Sequence, residues 1–226
     1  NPGSMFGHTF IKINSGPRAN DGKKRMDLLD WGIGFAAGVP PDTGGLEFAW
    51  NGIVGGFQSQ FSLMPYYQKV NEYVNAESRD IWEYELSLNK EETARLVNNF
   101  WEVETNSHFD YFFFDENCSY QLMTALEVAR PDWNISSFGP HVIPAETVKR
   151  LLEVPGAVRD VKYRPSLKRK AIERYSFLTD TERGKFDQIL SGDAKPGRED
   201  SSTLLEALST FLQFRKQLNS GEHTPK

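Results

Sequence analysis

Between Arg79 and Glu92 the hydrophobic period of the chain changes, and that change restricts the fold more than any other feature. Arg79-Asp80-Ile81-Trp82-Glu83-Tyr84-Glu85-Leu86 alternates apolar and charged side chains, the pattern of a half-buried strand. Three residues later Asn89-Lys90-Glu91-Glu92 has capping-box spacing, with Asn89 at the N-cap and Glu92 at N3. Leu96, Val97, Phe100 and Trp101 then form the apolar stripe of a helix expected to end near Val103. An amphipathic strand leading straight into a capped amphipathic helix predicts an α+β fold, an antiparallel sheet packed against helices.

The rest of the chain fits that class. Gly7-His8-Thr9-Phe10-Ile11-Lys12-Ile13-Asn14 alternates as a strand in which His8 and Phe10 share a face. After a polar, glycine-bearing loop at 15–25, residues 26–35 resume a strand-like pattern and would complete a long hairpin, with Gly32, Gly34 and Gly38 marking a bulge or close backbone approach. Leu46-Glu47-Phe48-Ala49-Trp50 reads as a short strand, 59–67 as extended chain ending at Pro65, and 70–77 as a short helix. Pro144 suits the first turn of a helix through Leu152 that would bury Val148, Leu151 and Leu152. From Pro155 the composition turns toward charge, strongly basic over 162–174. Two capped helices follow, from Thr179 to Leu190 and from Thr203 to Leu218, joined by a linker-like stretch at 192–200. The expected organisation is a main domain over 1–155 and a helical C-terminal extension over 156–226.

At 226 residues, 38% hydrophobic and 13% aromatic, the chain can bury one substantial core with an appendage. Its net charge of −5 is distributed along the chain with no basic face, which argues against nucleic acid as a partner. No apolar run approaches the length of a membrane span. No export leader precedes His8, so a signal sequence is expected to have been removed. A lone cysteine excludes an internal disulfide and is compatible with the cytosol or with an envelope enzyme that keeps a thiol for chemistry. Neither the histidines nor the cysteine shows metal-ligand spacing, and no cofactor is expected.

That cysteine lies in Tyr111-Phe112-Phe113-Phe114-Asp115-Glu116-Asn117-Cys118-Ser119-Tyr120-Gln121-Leu122-Met123. The aromatic run reads as a buried extended segment, and Leu122, Met123 and Leu126 fall at helical spacing, so Cys118 would open a helix. There the first-turn N–H groups and the positive end of the macrodipole favour a thiolate nucleophile. The competing reading is a packed structural cysteine, and the polar flanks of Cys118 weigh against it.

A thiolate needs a base within hydrogen-bond reach. Of the four histidines, His223 lies in the tail, His108 reads as a solvated loop residue, and His141 as a packing or capping residue at a pocket edge. His8, between a glycine and a strand, is the candidate that a central strand could present to the amino end of the Cys118 helix.

Three separated motifs then point to a family. Pro2-Gly3-Ser4-Met5-Phe6-Gly7-His8-Thr9-Phe10, Ser78-Arg79-Asp80-Ile81-Trp82-Glu83-Tyr84 and Phe114-Asp115-Glu116-Asn117-Cys118-Ser119-Tyr120 resemble the Lnb N-terminal periplasmic domain family over roughly residues 1–155. That family is similar to circularly permuted NlpC/P60-like, papain-like cysteine enzymes in which histidine precedes cysteine. Its namesake is a bacterial lipoprotein N-acyltransferase.

The resemblance implies Cys118 as nucleophile, His8 as base and an extracytoplasmic location in the periplasm or cell envelope. It also implies a thioacyl-enzyme whose acyl group passes to an amine such as a lipoprotein N-terminus. Lipoprotein, phospholipid or peptide substrates follow, with membrane proximity through regions outside this chain. Asp30 is the first choice for the group that orients His8, with Asn14 and Asp27 as rivals. Asn117 and Ser119 flank an oxyanion hole whose obvious donor is the Cys118 backbone N–H, and Ser4 and Arg79 are further substrate-binding candidates. For Arg79 and Asp80, an internal salt bridge that supports the strand is an equal reading. The alternatives in function are a cysteine peptidase or amidase on cell-wall or other peptides, and a non-catalytic envelope binding module.

Overall fold

The computed structural model describes residues 8–14, 30–40, 42–107, 109–114, 116–137 and 142–221. The chain divides into two compact units, one of Asn1–Tyr67 with Tyr84–Val161 and one of Gln68–Glu83 with Lys162–Lys226. Residues 68–83, from the first half of the chain, are thus grouped in space with the C-terminal helices.

The first unit is built on a sheet of four antiparallel strands, β1 (Phe10–Ile13), β2 (Trp31–Ala37), β3 (Phe57–Pro65) and β5 (Phe109–Tyr111), in the order β1-β2-β3-β5. The hairpin anticipated from the two N-terminal alternating segments is β1 against β2, with Phe10 opposite Gly34 and Ile13 opposite Trp31. Successive side chains take opposite faces. Ile11, Ile13, Ile33, Phe35 and Phe61 join one core with Leu122, Met123 and Leu126 of helix α4 (Cys118–Ala129) and Leu96 and Phe100 of helix α3 (Lys90–Asn106). Phe10 and Lys12 instead meet Tyr66, the ring of Phe10 at 6.0 Å and the Lys12 ammonium at 4.5 Å from its centroid. The fold class is α+β, as the sequence predicted.

Helix α3 starts at the predicted capping box. Asn89 Oδ1 accepts the Glu92 N–H at 2.9 Å and Glu92 returns the contact to the Asn89 N–H at 2.7 Å. The strand before it, β4 (Ile81–Leu86), pairs with β6 (Val158–Arg164) in a separate two-stranded sheet.

Three local expectations change. Residues 46–50 belong to a helix, α1 (Gly45–Val54), and not to a strand. Its inward stripe is Phe48 and Gly52 at i, i+4, and Phe48 packs its ring against Phe57 and Phe113 at 5.8 and 5.0 Å. A five-residue segment carries no decisive period, and tertiary partners chose the helix. The aromatic run, in turn, is extended only to Tyr111. Phe113 donates its N–H to Gly52 at 2.8 Å, away from the strand ladder, and Phe114 is 50% exposed. Finally, α5 (Pro144–Glu153) begins at Pro144 as expected but buries Thr147 and Leu151, leaving Leu152 half exposed.

The second unit has its own core. Helices α6 (Leu167–Ser176), α7 (Asp180–Ser191) and α8 (Ser202–Gly221) bring together Leu178, Phe186, Leu204, Ala207 and Leu208. Thr179 and Glu182 form the expected capping box on α7. At α8 the hydroxyl that accepts the Leu204 N–H is Ser201, at 3.1 Å, two residues before the Thr203 read from the sequence. Among the described residues no helix is long and apolar enough to cross a membrane.

Candidate active site

Cys118 is the first residue of α4, as its spacing from the apolar positions requires. Asn117 is the N-cap, and its amide is fully engaged. Oδ1 accepts the N–H of Ser119 at 3.0 Å and of Tyr120 at 3.4 Å. Nδ2 donates to the carbonyls of Val142 at 2.6 Å and Phe113 at 3.2 Å. A capping Asn both fixes the helix start and orders its free N–H groups. Here it also pins the two loops beside Cys118.

The polar flank therefore does not mean a wet one. Cys118 is 3% exposed, Asn117 4% and Ser119 0%. Their polar atoms are satisfied by the protein: Ser119 Oγ shares a hydrogen bond with Thr9 Oγ1 at 2.9 Å and lies 4.0 Å from Cys118 Sγ. Asn117 and Ser119, expected beside an oxyanion hole, fasten the helix start.

The Thr9–Ser119 bond carries the chain at His8 to the amino end of α4, one residue from the contact on each side. His8 is half-buried. Within β1 the pleat sends Ile11 and Ile13 toward the core shared with α4, and Phe10 and Lys12 toward Tyr66. His8 precedes Phe10, the first residue of that strand, so the pleat does not dictate the side its ring takes.

Asp30, read from the sequence as the group that orients His8, is placed at the opposite end of β1 from it. It precedes Trp31, which is paired with Ile13, whereas His8 lies beyond the other end of β1. The four strand residues Phe10–Ile13 separate the two positions along β1. Asp30 is not a surface residue. It is buried, 3.6 Å from the Lys12 ammonium, as a counter-ion within the hairpin. Asn14 lies one residue past Ile13, farther still from His8. Arg79, in the other unit, pairs with Glu77 at 2.9 Å. Its neighbour Asp80 binds Arg169 at 2.9 Å, so each of the two stands in a salt bridge, the structural reading that the sequence allowed for them. Ser4, Asp27, His108, His141 and His223 lie outside the described residues. Among the described residues no three His, Cys, Asp or Glu side chains are placed to hold a metal ion.

Sequence reasoning passed over Tyr111. The last residue of β5, it stacks on Phe35 at 5.9 Å and meets the edge of Phe113 at 5.8 Å. It packs, partly buried, against the core cluster that contains Cys118. Burial first, and then the charge of a Cys118 thiolate, holds the phenol well above its ordinary range, so that at neutral pH it is protonated and able to donate. The available signal was chemical: Tyr111 is the one member of its aromatic run with a polar tip.

No curated protein and no solved structure matches the chain. A family model described as the Lnb N-terminal periplasmic domain matches residues 1–154, the stretch that holds His8, β1 to β5 and the Cys118 helix, and the chain belongs to that family.

Proposed function

We propose that this chain is a cysteine acyltransferase of the bacterial envelope, of the Lnb type, working outside the cytoplasmic membrane through a permuted papain-like Cys-His pair. His8 takes the thiol proton, and the Cys118 sulfur attacks an ester carbonyl. The leaving alcohol departs with the proton held by His8, and the thioacyl-enzyme is resolved by an amine such as a lipoprotein N-terminus.

The observation that carries this reading is the seating of Cys118 at the first position of a capped helix, with the His8 segment fastened to that same turn by Thr9 and Ser119. An acyl substrate is favoured over a peptide by the outward stripe of α1, where Leu46, Trp50 and Ile53 are 90%, 66% and 53% exposed. That helix is joined directly to the Phe112–Phe113 chain leading to Cys118. A peptidase or amidase would use the same two residues with a different acceptor.

One observation favours the non-catalytic module: the thiol is almost wholly buried. Alkylation decides between the readings. Under the proposal, iodoacetamide at neutral pH labels Cys118 faster than a model thiol, and His8→Ala slows labelling by about tenfold or more. Labelling slower than the model thiol, unchanged by His8→Ala, would assign Cys118 to packing. Intact mass after incubation with phospholipid or with cell-wall peptide separates transferase from peptidase by the mass of the adduct.

A further inference from the structure

Ser119 has no exposed surface, so its hydroxyl has to find its partners inside the protein. Among the described residues it has two: Thr9 Oγ1 at 2.9 Å and Cys118 Sγ at 4.0 Å. The residue itself is fixed in the first turn of α4, because its N–H is committed to Asn117 Oδ1 at 3.0 Å. A hydroxyl carries one proton and two acceptor lone pairs, and at each of these contacts either atom can be the donor. The three side chains therefore form a chain with two complete settings. With a thiol, the S–H points to Ser119 Oγ and the Ser119 O–H to Thr9. With a thiolate the order reverses, so that Thr9 donates to Ser119 and Ser119 donates to sulfur. Only the second setting puts a donor on a charged acceptor, where a hydrogen bond is stronger.

We propose that Ser119 is the hydrogen-bond donor that stabilises the Cys118 thiolate, with Thr9 as the positioning residue that holds its hydroxyl in line. His8 takes the thiol proton, while the two hydroxyl protons turn about their C–O bonds and stay on their own oxygens. No bond to Ser119 or Thr9 forms or breaks. Among the described residues, the titratable groups near this turn are His8, the exposed Glu116, and Tyr111 of β5, which is protonated at neutral pH. Lys12 of β1 is turned toward Tyr66 and paired with Asp30. β2, β3, α3 and α5 bring apolar side chains to the core that holds Cys118: Ile33, Phe35, Phe61, Phe100 and Leu151. None of those can stand in for a hydroxyl. The proposal deepens the reading of Cys118 as nucleophile and rests on it.

The test is the pH dependence of Cys118 alkylation by iodoacetamide, measured on the full chain. The midpoint of the profile reports the thiolate, and the high-pH plateau reports access and folding. Ser119→Ala is expected to raise the midpoint by about one pH unit, which is about tenfold slower labelling below it, with the plateau within about threefold of wild type. Thr9→Val keeps the shape of the side chain and removes its hydroxyl. It is expected to move the midpoint the same way by less, and to move it no further when added to Ser119→Ala. A lowered plateau with an unmoved midpoint in Ser119→Ala would make the serine a structural fastening and overturn the proposal, while leaving Cys118 as nucleophile. A Thr9→Val shift that persists in full without the Ser119 hydroxyl would overturn the role given to Thr9. A wild-type thiol inert across the whole pH range would overturn the nucleophile itself, and the role of Ser119 with it.

Discussion

Asn117 is the residue on which the geometry around Cys118 turns, because one amide performs two jobs. Its oxygen caps α4 and its nitrogen holds the carbonyls of Phe113 and Val142. Asn117→Ala removes both and is expected to cost at least the 1–2 kcal/mol, roughly, of a lost cap. Asn117→Asp separates them, since a carboxylate still caps but cannot donate. Leaving two buried carbonyls facing it is expected to cost about 1–3 kcal/mol, so the Asp variant gains little over Ala in urea denaturation. If Asp restores wild-type stability, the nitrogen's two contacts are dispensable. Cys118 at the helix start was legible from sequence because apolar spacing and a capping residue are local signals. The burial of its neighbours was not, since polar residue types do not reveal whether water or protein satisfies them.

Among the elements, α1 shows how a helix can be selected by what it meets. Gly52 has no Cβ where the Phe113 ring lies, and an added Cβ would come within 2.1 Å of that ring. Gly52→Ala is therefore expected to displace Phe113 and cost about 1–3 kcal/mol, despite the better helix propensity of alanine. Unchanged stability in a thermal melt would show that the ring moves freely.

In the second unit, Asp80 ties three contacts together. It accepts the Ser166 N–H at 2.9 Å, the Tyr163 hydroxyl at 2.8 Å and the Arg169 guanidinium at 2.9 Å. Burial works to raise its carboxyl, but the hydrogen bonds from Ser166 and Tyr163 and the charge of Arg169 outweigh it, holding the group below the ordinary carboxylate range. A lowered folded value means that the stabilisation is complete above the unfolded carboxylate range and is lost as pH falls through the folded value. Between about pH 6 and about pH 3 the urea midpoint of wild type should fall more steeply than that of Asp80→Asn. Parallel slopes would remove Asp80 as a source of acid sensitivity.

For the whole molecule, each unit has its own apolar cluster, one around Leu122 and Leu126 and the other around Phe186 and Leu204. Leu122→Ala is expected to cost about 2–5 kcal/mol and Phe186→Ala about 3–5 kcal/mol. Hydrogen exchange should show lost protection centred on α3, α4 and β2 in the first variant and on α6 to α8 in the second. The reverse pattern would refute the division into two cores. The sequence by itself determined the α+β class, the hairpin, the capping boxes at Asn89 and Thr179, the proline start of α5 and the place of Cys118 at a helix amino end. These depend on periodicity and on side chains within one turn of the backbone groups they satisfy. Only the tertiary structure decided that Asp30 lies beside Lys12, because strand register is set by pairing across a loop. It alone made residues 46–50 helical, joined 68–83 to the C-terminal helices, and packed Tyr111 against the core that holds Cys118. Each of those outcomes depends on residues that the chain brings together from a distance, and no local pattern encodes that approach.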